Sequence, residues 1–282
     1  MTDHHLTLPA LVLAALVGAP LIGLAGDHLV GDAAAREGQA AEAKALATTL
    51  AARGWAPAAG RPAAELAARD VTLLVATRPF EIDLAHGALR GGAPSPEARE
   101  RAARVVAAEL GRYAPGWLAK AGLARVALVG DLTEDGAPIP SLPNHLQTLV
   151  IDVGVGEAYL ARLVHHEVFH FFDRASRTRL SPDPEWDAAN PPGFTYGAGG
   201  RSMRSPWASE RRVDLPGFVT SYATSGVEED KAETFALAMT DPGVRRQAEE
   251  DPTLAKKLAL AEARLAAFGA MPEGLAGERR PR

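Results

Sequence analysis

His166-Glu167-Val168-Phe169-His170 sits within a stretch, Glu157 to Arg174, whose apolar residues recur at helical spacing. Its reading decides the fold. On a helix, positions i and i+4 lie one above the other on the same face, so His166 and His170 can share one metal ion. Glu167 is one residue on, where its carboxylate reaches a water on that metal; the pattern supplies two zinc ligands and a general base. Leu160, Leu163, Val164, Val168 and Phe171 give such a helix an apolar seat. His165 points about 100° away from His166 and is expected at the surface or in the core.

A catalytic zinc needs three protein ligands and an open position. The chain has no cysteine, and its eight histidines stand at 4, 5, 28, 86, 145, 165, 166 and 170. None follows His170, and Asp173 and Ser176 occupy the positions where an extended motif would carry Gly and a third His. The third ligand is therefore a carboxylate from downstream, unless His86 or His145 folds in from upstream. Downstream, Tyr222-Ala223-Thr224-Ser225-Gly226-Val227-Glu228-Glu229-Asp230-Lys231-Ala232-Glu233-Thr234-Phe235 reads as a helix start at Ser225 or Gly226. Glu229 and Glu233 are one turn apart on it, so Glu229 is the expected ligand and Glu233 the carboxylate that orients a ligating histidine. Glu228 has Ala232 at the matching position and lacks that support. Asp173 is expected to be a structural carboxylate near the helix end, pairing with a base such as Arg174 or Arg177 or orienting a ligand loop.

Composition narrows the alternatives. At 282 residues with a formal net charge of -5, the chain lacks the basic face of a nucleic-acid binder. Residues Leu6 to Ala25 form an apolar run without a charged side chain, long enough to span a bilayer. We read residues 1–30 as a signal peptide or N-terminal membrane anchor, which makes the protein extracytoplasmic, either secreted or tethered. Residues 31–60 read as a helical linker, with Pro57 to Pro62 rich in breakers. The folded domain is expected over 61–282. Within it, Val71–Thr77, Arg125–Gly130 and Gln147–Val153 read as strands, and Gln147–Val153 as an edge open to an extended peptide. Ser95–Tyr113, Glu157–Arg174, Val227–Met239 and a last stretch from Pro242 or Pro252 to Phe268 read as helices. Strands followed by helices without regular alternation indicate an α+β fold with a small mixed sheet. The long connection Pro182–Val219 carries Trp186, Phe194, Tyr196 and Trp207, which line a pocket or pack the loop.

His166-Glu167-Val168-Phe169-His170-x-x-Asp173, followed by Ser221-Tyr222 and then Glu229-x-x-Ala232-Glu233-x-Phe235, resembles the catalytic domain of anthrax lethal factor and related bacterial zincins. The likeness spans about residues 145 to 240. It implies a zincin-like, gluzincin-type metallopeptidase fold, with zinc on His166, His170 and Glu229 and with Glu167 as base. By the same resemblance Tyr222 stabilises the oxyanion; Tyr196, in the long loop, is a second candidate apart from the resemblance. The implied activity is hydrolysis of a peptide or protein substrate; the alternative is a zincin-like module that binds zinc without catalysis.

Overall fold

The computed structural model describes residues 54–84, 87–145, 147–176, 182–203 and 206–275. The expected signal or anchor segment, the helical stretch before residue 54, and His86 lie outside these residues. Among the described residues no helix is long and apolar enough to cross a membrane. The described chain divides into two compact units. One holds residues up to Ala103 together with Leu123–Gly154, and the other holds Arg104–Gly122 together with residues from Val155 on.

The first unit is built on a mixed eight-stranded sheet. Its strands are β1 (Trp55–Pro57), β2 (Thr72–Ala76), β3 (Phe80–Leu84), β4 (Gly87–Gly92), β5 (Arg125–Glu134), β6 (Ala137–Pro138), β7 (Ser141–His145) and β8 (Thr148–Asp152). Helix α1 (Arg61–Ala67) separates β1 from β2. The three strands legible as apolar runs are β2, β5 and β8, and they pair in parallel with β5 in the middle. Buried on both sides, such strands read as continuous hydrophobic runs. The long β5 continues past Gly130, where Thr133 and Glu134 pair antiparallel with both β4 and β6.

Two expectations change here. Trp55–Pro57 falls where the sequence reads as linker, yet it pairs antiparallel with β2. Burial drives this: Trp55 is 3% exposed and meets Phe80 edge-on at 5.3 Å, within a core that includes Leu74, Ile82, Leu89 and Val150. The strand containing Gln147–Val153 is not a free edge, because β8 has β5 on one side and β7 on the other. Its backbone groups are already taken.

The second unit is helical. Helix α2 (Pro96–Leu110), which the division cuts after Ala103, starts with Ser95 Oγ accepting from the Ala98 N–H at 3.2 Å, a serine cap before a proline first position. After the short α3 (Trp117–Lys120) and the sheet comes α4 (Glu157–Ser176), which carries the two histidines. The short α5 (Pro184–Asp187) follows, capped by Asp183. Helix α6 (Val227–Thr240) has no side-chain cap, but Glu228, Glu229 and Asp230 fill its first turn, where the helix dipole favours acids. The final helix begins at the second of its two expected starts, as α8 (Pro252–Phe268) capped by Asp251, and a separate helix α7 (Gly243–Glu250) precedes it. Helices α4 and α6 pack through Phe169 and Phe235, with ring centroids 5.2 Å apart. Trp117, Phe172 and Phe268 extend that core. Both helices are buried almost all round, so the polar residues inside them need partners within the protein.

Candidate metal centre

Helix α4 brings His166 and His170 to one face, and α6 sets Glu229 against them. His166 Nε2 lies 3.1 Å from His170 Nε2, and Glu229 Oε2 lies 3.2 Å from the first and 3.5 Å from the second. Among the described residues these three form a group able to hold a metal ion. Glu229 Oε2 is buried without a hydrogen-bond partner despite its two close imidazoles. A buried carboxylate oxygen is expected to be satisfied. A tetrahedral zinc with bonds of about 2.0–2.1 Å spaces its ligand atoms about 3.3 Å apart, and the three separations fall around that edge. The donor set of two imidazoles and a carboxylate also suits zinc. Among the described residues it is the downstream carboxylate that meets the two histidines; the side chain of His145 is not among those described.

Glu233, one turn after Glu229, reaches the other side of the same ring. Its Oε1 lies 2.9 Å from His166 Nδ1. A carboxylate can only accept, so Nδ1 carries the proton and Nε2 is left to face Glu229 and His170. The second oxygen, Oε2, accepts from Thr220 Oγ1 at 2.8 Å and lies 3.8 Å from an Arg162 guanidinium nitrogen. Arg162 is itself placed by donating to the Ser209 carbonyl at 2.5 Å.

The electrostatics are strong because the groups are buried together. Burial alone would lower the pKa of His166, but the carboxylates of Glu229, Glu233 and Glu167 push it up to about 10. Burial opposes the charge on Glu229, yet the two imidazoles hold its carboxyl well below the usual range. Glu233 is likewise held low by His166, Arg162 and Thr220 against its burial. Glu167, 4% exposed, is near enough for its charge to act on both His166 and Tyr222.

Tyr222 is the tyrosine of this cluster. Its ring centroid is 6.0 Å from that of His166, and burial together with the charges of Glu229, Glu167 and Glu233 drives its pKa far up, so the phenol stays protonated. A Cβ on Gly200 would lie 2.2 Å from the Tyr222 hydroxyl and 2.4 Å from Glu229 Oε1, so the hydroxyl and that carboxylate share one small space. Tyr196 is committed elsewhere: its hydroxyl donates to Asp230 Oδ2 at 2.6 Å and meets Asn190 at 3.0 Å. Trp186 is fully buried and donates to the same Asp230 oxygen at 2.8 Å, while Phe194 packs on Tyr196 and Phe218. These aromatics pack the loop. The side chain of Trp207 lies outside the described set.

One pairing differs from expectation, and His165 takes one of its two expected places. Asp173 is 2% exposed and pairs with Lys231 of α6, while Arg174 is exposed and Arg177 lies outside the described residues. His165 is a core residue, held by the Tyr113 hydroxyl at 2.7 Å and by Glu109 at 2.8 Å. Thr220, Arg162 and the buried Asp230–Lys257 pair carry no motif and no spacing that singles them out in the sequence.

No known protein family and no curated protein matches the chain. A solved structure from Bacteroides caccae ATCC 43185, described provisionally as a zinc-binding metallo-peptidase, is similar over 70% of this chain and 78% of its own. The identity is 18% and the TM-score 0.47.

Proposed function

We propose that this chain is a zinc-dependent peptidase that holds its metal on His166, His170 and Glu229. The observation that carries the reading is the convergence of the two Nε2 atoms and Glu229 Oε2 at 3.1, 3.2 and 3.5 Å, with that oxygen buried and otherwise unsatisfied. Bound there, zinc would lower the pKa of a water to about 7 and polarise a peptide carbonyl. Glu167 takes the proton from the attacking water and passes it to the leaving amine. Tyr222, kept as a phenol, donates to the oxyanion as it forms, the role its resemblance to zincins implies. Glu233 holds the tautomer of His166 in which Nε2 is the free nitrogen. The substrate is a peptide or protein, and the apolar run at 6–25 supports its being met outside the cytoplasm.

The test uses the full-length protein, with zinc measured by elemental analysis and cleavage read by mass spectrometry on a peptide library. Glu167→Gln should keep its zinc and lose cleavage by roughly a thousandfold, within the range for removing a general base. Wild-type protein holding well under one equivalent of zinc, or holding it unchanged in His170→Ala, overturns the reading. Zinc retained with no cleavage by the wild type would leave the non-catalytic zinc module in its place.

A further inference from the structure

Thr220 has 0% exposure and lies 13 residues before Glu233, at the entrance to the turn that carries Tyr222. Its hydroxyl makes two contacts with fixed polarity. The Ala223 N–H donates to Oγ1 at 3.0 Å, and a backbone amide cannot accept in return. The hydroxyl proton is therefore free to go only outward, and it goes to Glu233 Oε2 at 2.8 Å. Glu233 Oε1 receives the Nδ1 proton of His166 at 2.9 Å. Donation runs from the Ala223 amide to Thr220 and from Thr220 to Glu233, where it meets the proton given by His166 Nδ1, and the ring is left with Nε2 turned toward Glu229 and His170.

We infer that Thr220 is a positioning residue that sets two parts of the centre at once: the rotamer of Glu233, and through it the His166 tautomer, and the seat of Tyr222, whose next residue supplies the amide that Thr220 accepts. Without the hydroxyl, Glu233 Oε2 keeps only the Arg162 charge at 3.8 Å, too far for a hydrogen bond, and its carboxylate can rotate away from Nδ1. A threonine that merely closed a turn would affect stability and leave the metal untouched. The inference rests on the zinc reading for its consequence and on the hydrogen-bond chain for its geometry.

The experiment compares Thr220→Val, Thr220→Ala and Thr220→Ser in the full chain. Zinc affinity is measured by chelator competition, kcat and KM at saturating zinc, and the His166 Nδ1–H by NMR in metal-free protein. Thr220→Val should bind zinc roughly 10- to 100-fold more weakly, as expected when the support of a metal-ligating histidine is lost. At saturating zinc it should lower kcat with little change in KM, because Tyr222 acts on the transition state. The Nδ1–H resonance should shift, and Thr220→Ser should restore all three readings. Thr220→Ala carries the same prediction if the branched side chain fails to fold. Unchanged zinc affinity and an unmoved Nδ1–H in Thr220→Val, or no recovery in Thr220→Ser, overturns the inference. A wild type that binds no zinc, with the Nδ1–H still shifting in Val and returning in Ser, would sink the zinc reading while upholding the role of Thr220.

Discussion

His166 is held by Glu233 through Nδ1, at 2.9 Å, on the nitrogen opposite the one that faces Glu229. The two carboxylates lie one turn apart on α6 and grip the ring from its two ends. Only the Nε2 side is open to a metal, so Glu233 contributes by orientation. Glu233→Gln keeps an acceptor but removes the charge that the imidazole and Arg162 both face. Zinc affinity should fall by about tenfold or more, and chelator competition will read it. Affinity equal to wild type would mean that the carboxylate does not orient the ring.

The same grip makes the metal-free protein sensitive to pH. His166 is pushed up to about 10 from an ordinary 6.5. A folded-state pKa above the unfolded one means the charged ring stabilises the fold fully below about 6.5, and this is lost as pH rises through about 10. Metal-free protein should therefore lose stability between pH 7 and 10 by denaturant titration, and Glu229→Gln should flatten that loss. Zinc must displace the same proton, so its apparent affinity should rise across the interval, with proton release measurable in weakly buffered solution.

Tyr222 stays a phenol at any working pH, because burial and three nearby carboxylates oppose its ionisation. A donor of that kind strengthens only as charge develops on the substrate oxygen. Tyr222→Phe should lower kcat by roughly a hundredfold, as removal of one oxyanion donor does, with KM nearly unchanged. A variant with wild-type kcat would place the tyrosine in a packing role.

The cluster of His166, His170 and Glu229 was legible because its logic is local. His166 with His170 and Glu229 with Glu233 are each i, i+4 pairs, and the lack of cysteine or later histidine left a carboxylate to complete the set. The strands β2, β5 and β8 were legible as apolar runs because they are buried on both faces. Other features depend on partners that periodicity does not reveal. Phe80–Leu84 alternates, but its hairpin partner Gly87–Gly92 is too rich in glycine to announce a strand. Lys257 meets Asp230 across 27 residues and Arg162 meets Glu233 from another helix, and side chains of these types are ordinarily read as solvated.

Gly200 lies where its missing side chain matters. A Cβ there would stand 2.2 Å from the Tyr222 hydroxyl and 2.4 Å from Glu229 Oε1. Neither neighbour can yield without leaving its place: Glu229 faces both histidines, and Tyr222 is packed on His166. Gly200→Ala should cost about 1–3 kcal/mol, typical of overpacking, and weaken zinc binding as well. Urea unfolding and zinc competition measure the two effects. A purely local strain would appear in the first alone.

Asp230, the residue after Glu229, ties the long loop to the helix that carries Glu229. It is fully buried and accepts from Lys257 Nζ at 2.7 Å, Trp186 Nε1 at 2.8 Å and the Tyr196 hydroxyl at 2.6 Å. Lys257 is equally buried, with the Gly217 carbonyl at 2.8 Å and its ammonium 3.7 Å from the Phe218 ring centroid. Burial pushes the Asp230 pKa up and the Lys257 pKa down, so each charge persists in its place because of the other. Lys257→Met leaves a buried carboxylate without its cation and should cost about 3–5 kcal/mol. The loop holding Trp186 and Tyr196 should then loosen, read as faster proteolysis between residues 182 and 219. Pairing the change with Asp230→Asn removes the stranded charge, and the double variant should recover much of the loss by urea titration. If the double variant is no more stable than Lys257→Met alone, the pair is not what anchors the loop.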